Sequence, residues 1–349
     1  MIPLGLDAAP TGQLCQLADD LFWARFDLPF RLNHINLYIL DTDEGWILID
    51  TGLNDQATAT HWRSLLDGPL FGKPVKQIIV THHHVDHIGY AGPLAELTKA
   101  EVFTSQAEAE HANWLYQLAP EDYGARLAKT YQRYGLPHEH ITAAGQGGSR
   151  YRRNTAALPP FSLVHPGEQI KTTAGCWQIR TDTGHSDQQI SLLDESRNLF
   201  LSVDFLLPRI SPNISADIRS PDHDLLASYF TYLSEMRDLS DEMRIFPGHD
   251  WPFRQGGLRA RQLIDHHHQR LELLHHAASQ KTLTVWSALD VLFGRSFAEH
   301  ELYFAAGEAR AHLNHLVARG RVNRQSDDNG VDLYEVPRGV SRKQIKETS

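Results

Sequence analysis

The chain has 349 residues and a formal charge of −10, from 43 acidic against 33 basic side chains. Apolar residues at 41% and charged residues at 22% are ordinary globular usage, which excludes disorder over most of the length. The acidic balance excludes a polybasic nucleic-acid or membrane binder by bulk charge, and no apolar run reaches the roughly 18 residues of a membrane-spanning helix.

In chain order, two short β-rich runs at 37–40 and 46–49 flank the turn composition Asp-Thr-Asp-Glu-Gly and predict a hairpin. The second run ends in Asp50-Thr51-Gly52. A helix is predicted over 55–66, closed by Gly68-Pro69. The run 75–80 reads as a buried strand leading into Thr81-His82-His83-His84-Val85-Asp86-His87, and a helix follows from Gly92-Pro93. The stretch 105–160 has helical spacing and interleaved aromatics. It is expected to be a helical insertion that either packs on the main domain or covers a site. Strands are predicted at 161–164, 169–172, 177–181, 189–193 and 199–203, then a helix at 225–236 and a strand at 243–246.

The composition shifts near 260. Helices are predicted at 262–278, 285–293 and 307–319, followed by a hairpin at 322–336. The expected domains are therefore 1–260, carrying the insertion, and a winged-helix-like 261–340, with a disordered tail at 341–349. Cys15 and Cys176 are too few for a disulfide framework. The first basic residue is Arg25, so the start lacks the charged leader of a secretory signal. A cytoplasmic protein is expected.

The chain has 21 histidines, and their placement carries the chemistry. Five predicted strands are each followed closely by a His or Asp: Asp50, the 82–87 cluster, His185, Asp204 and His249. The carboxyl edge of strands is where α/β sheets bind ligands. His82 and His84, two apart in an extended segment, leave on one face and can share a metal. Asp86 and His87 can address a second metal a few ångström away. Glycines 184 and 248 are expected to allow tight turns before His185 and His249. Imidazoles with carboxylates suit Zn²⁺, Fe²⁺ or Mn²⁺, and a paired site lowers the pKa of a bridging water. By contrast, His266-His267-His268 is a bare run, read as a solvated helix face.

The motif 81–87, with Asp50-Thr51-Gly52, Thr183-Gly184-His185, Asp204 and Gly248-His249 in that order, resembles the signature of the metallo-β-lactamase superfamily. The resemblance covers roughly 20–255. It implies an α/β fold, an αββα sandwich of two facing sheets. It also implies that His82, His84 and His185 hold one divalent metal, that Asp86, His87 and His249 hold a second, and that Asp204 bridges them. Asp50 would orient a ligand histidine, and Asp86 would also aim the attacking hydroxide. The metal set is similar to that of glyoxalase II hydrolases. The C-terminal pattern resembles the branch with a winged-helix appendage near the β-lactamase-like-protein-2 group. Secreted lactamases of this fold have a signal peptide and many lack the bridging aspartate; the chain has Asp204 and is expected to have no signal, which argues against antibiotic degradation.

The resulting expectation is a hydrolase with two divalent ions, zinc foremost, acting on a small ester, thioester or lactone. A phosphodiesterase or endoribonuclease using the same site is the alternative. Residues 261–349 carry 12 basic and 11 acidic groups, so no basic stripe supports nucleic-acid binding beyond a local patch of Arg319, Arg321 and Arg324. An iron enzyme of persulfide or oxygen chemistry is disfavoured because all seven ligand positions are filled. The C-terminal region is expected to pack or to dimerise, and no membrane partner is expected. Tyr90, Arg209 and Asn213 are further pocket candidates; packing is the expectation for Tyr90.

Overall fold

The computed structural model describes residues 1–29, 31–294 and 297–337. Residues 341–349, expected to be a disordered tail, lie outside the described residues. Two seven-stranded sheets organise the first part of the chain. One runs in the order Cys15–Ala18, Leu21–Asp27, His34–Thr42, Gly45–Ile49, Val75–Ile79, Glu101–Thr104, Phe161–Leu163. Its first four strands pair antiparallel. From Gly45–Ile49 to Phe161–Leu163 the pairing is parallel, with crossovers long enough to carry helices. The other runs Ile2–Pro3, Phe253–Arg254, Arg244–Pro247, Leu199–Val203, Gln189–Asp194, Cys176–Asp182, Gln169–Lys171.

Period-two alternation decides which faces meet. Leu21 and Trp23, Tyr38 and Leu40, and Ile47 and Ile49 project from the first sheet into one buried cluster. Trp177 and Ile179, Ile190 and Leu192, and Leu199 and Leu201 enter it from the second. Each aliphatic side chain so buried contributes about 1.5–3 kcal/mol. The two sheets therefore pack face to face. On the outer side, the helix Gln56–Asp67 is capped by Asp55, which accepts from Thr58 N at 2.8 Å. It buries Trp62 against Phe26, with ring centroids 5.3 Å apart. At the sheet edges, Asp20 accepts from both Arg197 Nη1, at 2.6 Å, and Trp177 Nε1, at 3.1 Å, tying the turn after Cys15–Ala18 to the second sheet.

The chain divides into two compact units, Met1–Ala119 with Ser149–Pro212 and Ser228–Leu263, and Pro120–Gly148 with Asn213–Ala227 and the chain from Ile264 on. The stretch expected to be one insertion, 105–160, is thus divided. Gln106–Gln117 and Arg150–Asn154 fall in the first unit, and Pro120–Arg133 and His138–Gln146 in the second. The physical reason is an ion network within the second unit. Arg133 donates to Asp222 and Asp332, and the buried Arg310 of the helix Glu299–Ala318 donates to the same two carboxylates. Besides these segments, the second unit holds the remainder of Gly256–Gln280, the helices Val285–Phe293 and Glu299–Ala318, and an antiparallel hairpin of Asn323–Ser326 and Asp332–Glu335.

Among the described residues no helix is long and apolar enough to cross a membrane.

Candidate metal centre

Five strands deliver the side chains that converge. Gly45–Ile49 ends at Asp50, and Val75–Ile79 runs into the loop of His82 and His84. Cys176–Asp182 precedes His185, Leu199–Val203 precedes Asp204, and Arg244–Pro247 precedes His249. His84 opens the short helix Val85–Ile88, which turns Asp86 and His87 back toward the same point. Three overlapping groups each bring one donor atom per residue within 4.8 Å: His82, His84 and His185; His82, His87 and Asp204; and Asp86, His87 and His249. All seven residues expected to be ligands are brought together.

Asp204 lies at the middle. Its Oδ2 is 3.5 Å from His87 Nε2, 3.5 Å from His185 Nε2 and 3.3 Å from His249 Nε2. Asp86 Oδ2 is 3.4 Å from His249 Nε2. His82 Nε2 and His84 Nδ1 are 3.0 Å apart. The rings of His82 and His84 meet His185 nearly edge-on, at interplanar angles of 73° and 89°.

Outer hydrogen bonds set which ring nitrogen is bare. Asp50 takes up a left-handed backbone, φ 64°, and its carboxylate accepts from Thr81 N at 2.7 Å, Thr81 Oγ1 at 2.8 Å and His87 Nδ1 at 2.7 Å. Thr81 gives its one hydroxyl proton to Asp50, so toward His82 Nδ1, 3.0 Å away, it can only accept. His249 Nδ1 donates to the His34 carbonyl at 2.7 Å. In all three rings Nδ1 carries the outer proton and Nε2 is left for the centre, the arrangement that outer partners impose on metal-binding histidines.

The electrostatics are those of a cation cage. Burial alone would disfavour charge on His87, but Asp50, Asp204 and Asp86 push its pKa well above the ordinary value. His249, against the same burial, is raised to about 10 by Asp204 and Asp86. Asp86, despite burial, falls to about 2 beside His87 and His249. His82 and His84 are driven well down, first by burial and then by neighbouring histidines. Carboxylates thus call for positive charge at the point where Nε2 atoms gather. His87 Nε2 and Asp204 Oδ1 are buried and make no hydrogen bond. Leaving such atoms unmet costs about 1–3 kcal/mol each. A divalent ion meets both needs, so these residues fit a metal.

The glycines act differently from one another. Gly184 has φ 151° and lies against Tyr229, as a turn glycine should. Gly248 does not have a positive φ; its missing Cβ makes room for Asp204 Oδ1. Tyr90 is buried at the start of the helix Ala91–Thr98. Arg209 is turned onto Asp250, Nε to Oδ1 3.1 Å, and Asn213 belongs to the second unit. The run 266–268 is not a wholly solvated face. His267 is fully buried, with Nδ1 3.1 Å from His312 Nε2, because the helix packs that side inward. Thr81 stands in the 81–87 motif, but its role between Asp50 and His82 was not read from sequence, and the His34 carbonyl, a main-chain oxygen, leaves no pattern.

The description "Metallo-beta-lactamase superfamily" matches residues 31–249, and "Metallo-beta-lactamase-like, C-terminal domain" matches residues 271–337. The chain is similar to the probable metallo-hydrolase YqjP of Bacillus subtilis, 24% identical over 90% of this chain and 97% of that one. Among solved structures it is similar to a beta-lactamase domain protein from Burkholderia ambifaria, with 30% identity, TM-score 0.89, and 96% and 98% of the two chains covered. It is also similar to a metallo-beta-lactamase family protein from Thermus thermophilus, with 26% identity, TM-score 0.77, and 92% and 100% covered. With the family pattern matched over most of the chain and the strand-end histidines and aspartates gathered at one point, the chain belongs to the metallo-beta-lactamase superfamily and is a hydrolase of that fold.

Proposed function

We propose that the protein hydrolyses a small ester, thioester or lactone at a centre of two divalent ions, zinc foremost, in the manner of glyoxalase II-like hydrolases. One observation carries this: Asp204 Oδ2 stands within 3.5 Å of three histidine Nε2 atoms drawn from three separate segments of the chain. His82, His84 and His185 would hold one ion, and Asp86, His87 and His249 the other, with Asp204 shared between them. When bound, such ions polarise the scissile carbonyl and make water nucleophilic near neutral pH. Asp50 holds the proton on His87 Nδ1 and so keeps Nε2 bare. Asp86 presents a carboxylate beside His249 to accept a hydrogen bond from the attacking water and aim it. His34, through its carbonyl, keeps His249 in register.

The last three helices, Gly256–Gln280, Val285–Phe293 and Glu299–Ala318, with the hairpin that follows them, support a winged-helix appendage. Leu283, between the first two helices, exchanges both main-chain bonds with Tyr334 of the hairpin, at 2.9 and 2.8 Å. A small-molecule substrate is favoured over nucleic acid, because two of the three arginines of the local patch are already neutralised. Arg321 forks onto Glu272 at 2.7 and 3.0 Å, and Arg324 pairs with Asp222.

The test is turnover of thioester, lactone, phosphodiester and RNA panels by demetallated protein restored with Zn²⁺, Fe²⁺ or Mn²⁺. Ester-class turnover that tracks metal and falls by orders of magnitude in His84→Ala and Asp204→Ala supports the proposal. Equal turnover without metal refutes it.

A further inference from the structure

Helix Gln106–Gln117 begins with Ser105-Gln106-Ala107-Glu108, the spacing of a capping box, in which the serine and glutamate side chains satisfy the helix's own first N–H groups. Here neither does so. Ser105 makes no side-chain cap bond and donates instead to the Gln188 carbonyl at 2.8 Å. Glu108 is buried and turned outward from its helix. One carboxylate oxygen accepts from His83 N at 2.9 Å and His83 Nδ1 at 2.6 Å. The other accepts from Ser186 Oγ and Gln188 N, both at 2.7 Å. A stronger local preference has been set aside, and such departures mark functional demands.

The two loops so joined are the ones that carry His82 and His84 on one side and His185 on the other. His83 sits between two of the expected ligands, and Ser186 directly follows the third. The same helix makes a second link: His111 stacks on His83 at 3.9 Å and its Nδ1 is 3.1 Å from Asp187 Oδ2. Among the described residues the other anchors are different: His87 rests on Asp50 and His249 on the His34 carbonyl, while Asp50 also reaches His82 through Thr81.

We infer, on the footing of the metal centre proposed above, that Glu108 is a positioning residue for one of its two sites. It clamps the 82–84 loop to the 183–188 loop and so sets the spacing of His82 and His84 against His185, a link that Asp86, His87 and His249 do not share. Every group that Glu108 touches is a donor. A glutamine there must turn an NH₂ toward a donor, so the isosteric Glu108→Gln breaks the clamp without leaving a cavity.

The experiment is stepwise Zn²⁺ binding by competition with a calibrated chelator, on wild type, Glu108→Gln and Ser186→Ala. The melting temperature of each metal-free protein is measured alongside. Loss of an outer partner typically weakens metal affinity about 10–100-fold. Glu108→Gln is expected to show that loss at one step while the other holds, and Ser186→Ala a smaller loss at the same step. Cobalt spectra should change for one ion only. If both variants keep both steps, or both steps fall in parallel with the metal-free melting temperature, the inference is overturned and the metal centre stands. If wild type binds no Zn²⁺, the metal centre falls and the inference with it.

Discussion

Gly248 and Asp204 occupy one space: a Cβ on residue 248 would overlap Asp204 Oδ1 and come within 3.3 Å of His87 Cε1. Gly248→Ala demands no unusual backbone, since the glycine's φ is not positive. Its effect should therefore fall on the centre and not on the fold. We expect kcat/KM to drop by about 10–100-fold, as when a metal's surroundings are disturbed, with the far-UV circular dichroism unchanged. Full activity in this variant would show that Asp204 is free to move without consequence.

Asp50 is surrounded by three donors. Asp50→Asn places an amide NH₂ against at least one of them and loosens the His87 ring. Zn²⁺ release to a chelator should become about 10–100-fold easier, measured by dialysis and elemental analysis. Unchanged retention would remove Asp50 from any role in orienting His87.

Asp182 sets a pH dependence of stability. Burial, with Glu235 nearby, raises its carboxyl from 3.8 to about 6 against the pull of Arg180. Between those values the folded protein holds a proton that the unfolded chain has lost. The group's contribution is therefore complete below about pH 4 and declines as pH rises through about 6. At about 1.4 kcal/mol per pKa unit, the penalty at pH 8 is at most about 3 kcal/mol. Asp182→Asn should raise the melting temperature at pH 8 and leave it nearly unaltered at pH 4. Equal shifts at both values would contradict the protonation argument.

The convergence of the strand-end histidines and aspartates was legible because they are rare residue types, each placed just past a strand end. The helices 225–236 and 285–293 were legible because their apolar periodicity is strong, and both match the observed bounds. Leu21–Asp27 was not singled out: Arg25 interrupts its apolar run, and only the folded sheet shows it paired on both edges. The partition of 105–160 was also hidden, because it depends on Arg133 reaching Asp222 and Asp332, carboxylates 89 and 199 residues away in sequence. His267 and His312 look like any polar pair on paper. Glu108 drew no reading from sequence, because its use between the two loops exists only in three dimensions.

Anomalous diffraction from crystals of the Zn²⁺-reconstituted protein is the decisive measurement. Two zinc peaks are expected, one bonded by His82 Nε2, His84 Nδ1 and His185 Nε2 and the other by Asp86, His87 and His249, with Asp204 between them. Peaks confined to other parts of the surface, or none in protein that turns over its substrate at full rate, would refute the two-metal centre.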